Sequence, residues 1–257
     1  MRNINFAFYC SARAAGRETG NLLDPPKTEG LPLLPWIVLD IAQIPGGGAL
    51  KLKRRGGEFS IMLGDNELMN SRLSGSEEAL ASLSSGKIKA RPAPRVLIGG
   101  LGMGFTLRAA LAALPSATIE VAELVPEVIA WARGPMAEIF GGCLDVRNVV
   151  IRQGDVGAII GSNPAAYDAI LLDVDNGPEG LTRASNDALY DATGLAAARK
   201  ALKPGGVLAV WSSGPDEGFT RRLRKAGFEV EENSVRAGRS KGARHRIWLA
   251  MRPETRG

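Results

Sequence analysis

VLIGGLGMGFTLRAAL, Val96 to Leu111, decides the fold. An apolar run, Val96-Leu97-Ile98, enters a glycine cluster made of Gly99, Gly100, Gly102 and Gly104, with Leu101 and Met103 between them. A helical pattern follows at once, with Phe105, Leu107 and Leu111 as its apolar positions. Strand, glycine turn and helix in that order are the context that gives a glycine-rich motif meaning. Glycine lets the backbone turn tightly and approach a ligand, and the start of a helix offers N–H groups that have no partner inside the helix.

Outward from that stretch, acids fall at the ends of further strand-like runs. Thr118 to Ala122 ends in Glu123-Leu124. Glu123 lies on the order of 20 residues past the glycines, where a carboxylate can accept both hydroxyls of a ribose. Val149-Val150-Ile151 is followed by Gly154-Asp155-Val156, and Tyr167 to Leu172 ends in Asp173. A lone glycine pattern is weak. Four aligned pieces point to a nucleotide-binding α/β fold.

Here the chain resembles a family, the spermidine synthase-like branch of class I S-adenosylmethionine-dependent transferases. The resemblance runs from about Gly48 to about Arg252. It is carried by IGGLGMG, AELVPEVIAWAR, QGD and LLDVDNGPEG, and by Leu202-Lys203-Pro204-Gly205-Gly206, which is similar to the turn before the fifth strand of many methyltransferases. It implies a Rossmann-like methyltransferase fold, with a mostly parallel seven-stranded sheet, helices on both faces and a small N-terminal β-domain. It also implies S-adenosylmethionine, or its decarboxylated form, as cofactor without a metal, and a homodimer or homotetramer. The cofactor-binding positions it carries over are Gly99, Gly100, Leu101, Gly102, Gly104, Glu123, Leu124, Gly154, Asp155, Val156 and Asp173.

The same resemblance has gaps. Polyamine aminopropyltransferases carry a glutamine, an acid pair and a Tyr-His-Glu or Tyr-Gln-Glu triplet ahead of the glycine loop. Aligned without gaps, Glu67 takes the glutamine position and Glu78 the triplet's glutamate, while Ser76 and Glu77 replace the tyrosine and its neighbour, and Arg72 and Leu73 the acid pair. The aspartate of the family's GGGDGG loop is also missing, since Gly102 or Met103 stands there. The cofactor pocket is retained and the polyamine pocket largely is not. In the family's Asp-x-x-Asp motif the first aspartate is catalytic; here the run is Asp-Val-Asp-Asn, so Asp173 carries over and Asp175 is its offset companion. Glu179, in Gly177-Pro178-Glu179-Gly180, belongs to a loop over the pocket mouth. A cofactor-amine ligand or a helix cap are the other roles open to Asp173.

The remaining chain fits this frame. Met1 to Gly30 lacks a sustained period and reads as an irregular arm. Residues 31–85 read as a small β-rich domain with a helix: Trp36 to Ile41 is strand-like, Ala49 to Arg54 and Glu58 to Leu63 form a hairpin across Gly56-Gly57, and Glu67 to Leu83 is a turn and a helix. Residues 86–94 are a basic linker and 95–257 the cofactor-binding domain. Within that domain Ala184 to Leu202 reads as a long helix, Val207 to Trp211 as a strand, Glu217 to Ala226 as a helix, and Phe228 to Val235 with His245 to Met251 as a final antiparallel pair. The loop 236–244 is basic. Trp131, Trp211 and His245 read as structural.

Composition limits the function. The net charge of +5 is spread along the chain, which suits a solvated surface. Cys10 and Cys143 form no framework or metal pattern, so a reducing cytoplasm is expected. A single histidine excludes a His-rich metal site and argues against a Ser-His-Asp triad. No apolar run approaches the roughly 20 residues of a membrane span, and Ile4 to Cys10, soon followed by Arg13, makes a poor signal peptide. A nucleic-acid substrate is disfavoured, because the Asn/Asp-Pro-Pro-aromatic signature is absent and aromatics are only 5% of the chain. Three readings compete: a methyltransferase acting on a small, amine-bearing acceptor, a divergent aminopropyltransferase, and a cofactor-binding protein without turnover.

Overall fold

The computed structural model describes residues 34–174, 188–238 and 242–254. The expected arm over 1–30, and Asp175 and Glu179, lie outside the described residues. Strands β1 (Ile37–Gln43), β2 (Ala49–Arg55), β3 (Glu58–Leu63) and β4 (Asn66–Asn70) form an antiparallel meander. Strands β5 (Arg95–Gly99), β6 (Thr118–Glu123), β7 (Val149–Gln153), β8 (Tyr167–Leu172) and β9 (Leu202–Ser212) run parallel in a second sheet. Strand β11 (Arg244–Met251) pairs antiparallel with both β9 and β10 (Glu229–Arg236). The strand order is β10-β11-β9-β8-β5-β6-β7, so β11 is the one reversed strand of seven.

Both faces of the middle of this sheet are covered, and its central strands are therefore apolar without alternation. All six residues of β8 are buried. Successive residues still serve opposite layers. Val96 and Ile98 join the core that includes residues of α1 (Gly75–Ile88), α2 (Phe105–Ala113), α3 (Pro126–Arg133) and α4 (Ala137–Phe140). Leu97 joins the layer beneath α5 (Val156–Ser162), α6 (Ala192–Ala201) and α7 (Glu217–Lys225). None of the described helices is long and apolar enough to cross a membrane.

Three expectations shift. Residues Asn66–Asn70, read as a turn leading into a helix, form β4, because the tight turn at Gly64 (φ +57°) sends the chain back along β3. The helix begins only at Gly75 and runs past Leu83 to Ile88, since Leu80, Ser84 and Ile88 continue one buried face. Lys87 is thus helical and pairs with Glu231, and Arg91, read as part of a solvated connector, pairs with the buried Asp168 at 2.8 Å. In the described part of the expected long helix, residues 188–190 are helical, and after a break at Asp191 α6 runs from Ala192, where the Asp191 carboxylate accepts the Gly194 N–H.

Candidate active site

The chain leaves β5 toward β6 and β7 on one side and returns through β8 and β9 on the other. Open α/β sheets take ligands at such a reversal, beyond the carboxyl ends of the strands. A cavity of about 420 Å³ lies there, and the small sheet adds Ile44, Leu50, Ile61 and Met69 to its wall.

The glycine loop builds one side. Gly100 sits at φ +91°, and a Cβ there would lie 2.5 Å from the Asp173 carbonyl oxygen, so only glycine lets the ends of β5 and β8 meet. Gly100 and Gly102 line the cavity. Gly99, Leu101 and Gly104 do not. Gly99 packs on Val156 and Leu172, and Gly104 caps α2 against the Phe140 ring. Leu101 contributes its backbone, donating to Glu123 Oε2 at 3.0 Å.

Glu123 is buried at the end of β6 and faces the cavity. Burial pushes its carboxyl up; the Val125 and Leu101 N–H groups oppose this. Each oxygen takes one of these bonds, with Val125 donating to Oε1 at 2.9 Å. An ionised carboxylate offers about four acceptor sites, which leaves room for the two hydroxyls of a ribose. Leu124, Gly154, Asp155 and Val156 also line the cavity. Asp155 caps α5, taking the Gly157 and Ala158 N–H groups on Oδ1 and leaving Oδ2 for another donor. These residues fit a nucleoside.

Asp173 follows β8 and is held by the Thr106 hydroxyl, which donates to Oδ2 at 2.6 Å. Burial and repulsion from Glu77 push its carboxyl up to about 7, against the pull of Thr106. Glu77 stands in the first turn of α1, and burial pushes its carboxyl up as well. Two acids that resist ionisation therefore share one cavity wall. Such a pair can hold a cation and can accept a proton near neutral pH.

Polar groups from the far strands complete the site. The Ser76 hydroxyl donates to Glu77 Oε2 at 2.7 Å, and His245 Nδ1 lies 3.0 Å from that hydroxyl. The His245 and Trp211 rings meet edge to face, with centroids 4.7 Å apart. Burial lowers the His245 pKa.

The expected acceptor-side residues are only partly assembled. Glu67 lines the cavity but is engaged by Ser60 at 2.7 Å and Asn70 at 3.0 Å, with Arg72 beside it. Glu78 does not line it. Its carboxylate accepts from Ser74 at 2.8 Å, and Glu77, one residue earlier, takes the cavity position. His245 and Trp211, read as structural, line the cavity, whereas Trp131 is buried and donates to Asp40 at 2.7 Å. No sequence signal marked Trp211. The lone histidine at the start of a strand was the one available hint for His245. Among the described residues no group of three His, Cys, Asp or Glu side chains is placed to hold a metal ion.

No family model and no curated protein matches the sequence. Solved structures do match the fold. A spermidine synthase from Thermotoga maritima and a spermidine synthase in complex with the transition-state analogue AdoDATO each superpose with a TM-score of 0.66 at 20% identity, over 84% of this chain and 72% of theirs. Human methyltransferase-like protein 13, in complex with SAH, superposes with a TM-score of 0.51 at 19% identity, over 68% of this chain and 78% of its own. The chain has the fold shared by spermidine synthases and class I S-adenosylmethionine-dependent methyltransferases.

Proposed function

We propose that this protein is a transferase that binds S-adenosylmethionine and methylates a small acceptor through an amine. The observation that carries this reading is the Asp173–Glu77 pair in the cavity beside the glycine loop. Ionising two buried carboxyls without a counter-charge is costly, so beside a neutral or acidic acceptor the pair stays protonated. An amine supplies that counter-charge and a proton to remove.

When bound, S-adenosylmethionine supplies a carbon already activated by a sulfonium. Glu123 would hold the ribose and Asp155 Oδ2 the adenine amino group, with Leu124 and Val156 as apolar walls. Asp173 would fix the amine nitrogen and take its proton as the new bond forms, and Glu77 would share the positive charge. The apolar side of the cavity, from Ile44, Leu50 and Ile61, would exclude water. Asp175 and Glu179, outside the described residues, remain candidates for the catalytic and acceptor side.

The glycine loop supports methyl over aminopropyl transfer. Where aminopropyltransferases carry an aspartate, the thioether of Met69 fills the space: Met103 N donates to its sulfur at 3.1 Å, and a Cβ on Gly102 would lie 2.8 Å from it. Among the described residues no acid stands there to favour a lone ammonium over an amino-acid tail. Aminopropyl transfer is the second reading, favoured by the better superposition on spermidine synthases, which extends over 84% of this chain. Titrating the protein with S-adenosylmethionine and with its decarboxylated form separates the two. Equal or tighter binding of the carboxylated form, with methylated product from a panel of amines, phenols and carboxylates, supports methyl transfer. A clear preference for the decarboxylated form would replace it, and binding without product from any acceptor would favour the non-catalytic reading.

A further inference from the structure

Two polar groups of the cavity wall lack partners, and their demands are opposite. The indole N–H of Trp211 is buried and makes no hydrogen bond to the described residues. An unsatisfied buried donor is costly, so a native structure that keeps one calls for an explanation, of which an absent ligand is one. The second group is His245. With the Ser76 proton given to Glu77, the Ser76 oxygen accepts from the imidazole in the tautomer that carries the ring proton on Nδ1. Nε2 is left with a lone pair and no hydrogen bond among the described residues. Burial lowers the pKa of this ring, which favours its neutral form.

Both residues lie on one face of the paired strands β9 and β11, because Trp211 is opposite Ile247, two residues from His245. Their rings touch, and both line the cavity that holds Asp173 and Glu77. Trp211 needs an acceptor and His245 Nε2 needs a donor. A hydroxyl is both. A second ammonium would satisfy His245 and leave the indole N–H facing a cation. A methyl end would satisfy neither.

We propose that Trp211 and His245 form a hydroxyl-binding subsite, and that the acceptor is an amino alcohol rather than a diamine or a plain alkylamine. This rests on the reading of the acid pair as an amine site. The acid pair takes the ammonium end, and the indole–imidazole pair takes the oxygen. A site built to hydrogen-bond a hydroxyl rejects the analogue without one, because its buried polar groups are then unpaired.

Calorimetry on the protein saturated with S-adenosylhomocysteine provides the test. The ligands are straight-chain amino alcohols of three to six carbons, the matched diamines and the matched alkylamines. Turnover is measured in parallel with S-adenosylmethionine and its decarboxylated form. At the best chain length the amino alcohol should bind about tenfold tighter than either analogue, the effect of one hydrogen bond. Trp211→Phe keeps a ring and deletes the donor. His245→Asn keeps an N–H for Ser76 and deletes the acceptor. In either variant the ratio of amino alcohol to alkylamine should fall to within about twofold. Wild-type protein that binds the diamine or alkylamine as tightly overturns the subsite, as does a hydroxyl preference that persists in both variants. Those outcomes leave the amine reading standing. Failure of every amine to bind or react would remove both.

Discussion

Glu77, in the first turn of α1, repels negative charge on Asp173 at the end of β8, and together with burial it raises that aspartate to about 7. The consequence for stability has a definite sign. The folded state holds a proton between about pH 4 and 7 that the unfolded chain has already lost, so stability falls as pH rises through that window. Asp173→Asn removes this dependence. Its stability relative to wild type should increase from pH 4 to pH 7 and level off above, by up to about 1.4 kcal/mol per unit of displacement. Thermal or urea unfolding at several pH values reads this out. Parallel stability curves would show that Asp173 titrates normally.

The same pair sets a pH profile. If ionised Asp173 takes the acceptor's proton, kcat/KM should fall below about pH 7 in the wild type. Glu77→Gln removes the like charge, so the acid limb should move to lower pH while Thr106 still holds the carboxylate. An acid limb that stays in place in Glu77→Gln would mean that another group controls it.

Much of this site could be read from the chain because it lies at strand ends. Val96-Leu97-Ile98 must be buried on both faces, and the residues just past the end of such a strand face the crevice. Gly100, Glu123, Asp155 and Asp173 could therefore be placed without coordinates. The acceptor side was less legible for a physical reason. Its residues come from helix phase and strand register, which depend on where elements begin. Alignment to a motif chose Glu78, but the helix starts at Gly75, and that phase turns Glu77 inward and Glu78 toward Ser74. His245 and Trp211 meet only because β11 pairs antiparallel with β9 in one register. No local pattern encodes that pairing.

Glu123 should govern nucleoside binding. Glu123→Gln retains much of the shape but loses the charge that strengthens each accepted hydrogen bond. Charged hydrogen bonds contribute about 1.5–3 kcal/mol, so affinity for S-adenosylhomocysteine should drop by roughly ten- to a hundredfold. The Leu101 and Val125 N–H groups also depend on this side chain, and a modest loss of thermal stability should accompany the change. Calorimetry showing wild-type affinity would dismiss Glu123 as the ribose ligand.

Met69 and Gly102 should act as a unit in cofactor choice. A Cβ on Gly102 would press on the Met69 sulfur and terminal methyl, both at 2.8 Å. Gly102→Asp alone should therefore destabilise the protein and weaken cofactor binding. Adding Met69→Ala vacates that space, and the double variant should recover part of the lost stability, the left-handed backbone at Gly102 (φ +50°) keeping the rest, and shift its preference toward the decarboxylated cofactor, since the new acid faces an ammonium without a carboxylate. The coupling is read as a double-mutant cycle. Strictly additive effects would show that the two positions do not interact.

Glu77 and Glu78 give the sharpest contrast because they are neighbours with different surroundings. Glu77 lines the cavity, whereas Glu78 accepts from Ser74 at 2.8 Å at the start of α1. Glu78→Ala removes a favourable charge and a local hydrogen bond in a first helical turn, a change of about 0.5–1 kcal/mol. It should leave acceptor binding within about threefold of wild type. Glu77→Ala removes half of the acid pair and should weaken an amine acceptor by roughly ten- to a hundredfold, as expected for loss of a charged partner in a buried site. It should also release the Ser76 hydroxyl, which holds His245. Acceptor affinity measured with S-adenosylhomocysteine bound separates the two residues. A larger loss in Glu78→Ala than in Glu77→Ala would restore the assignment made by aligning the motif, and would mean that α1 presents a different face to the acceptor.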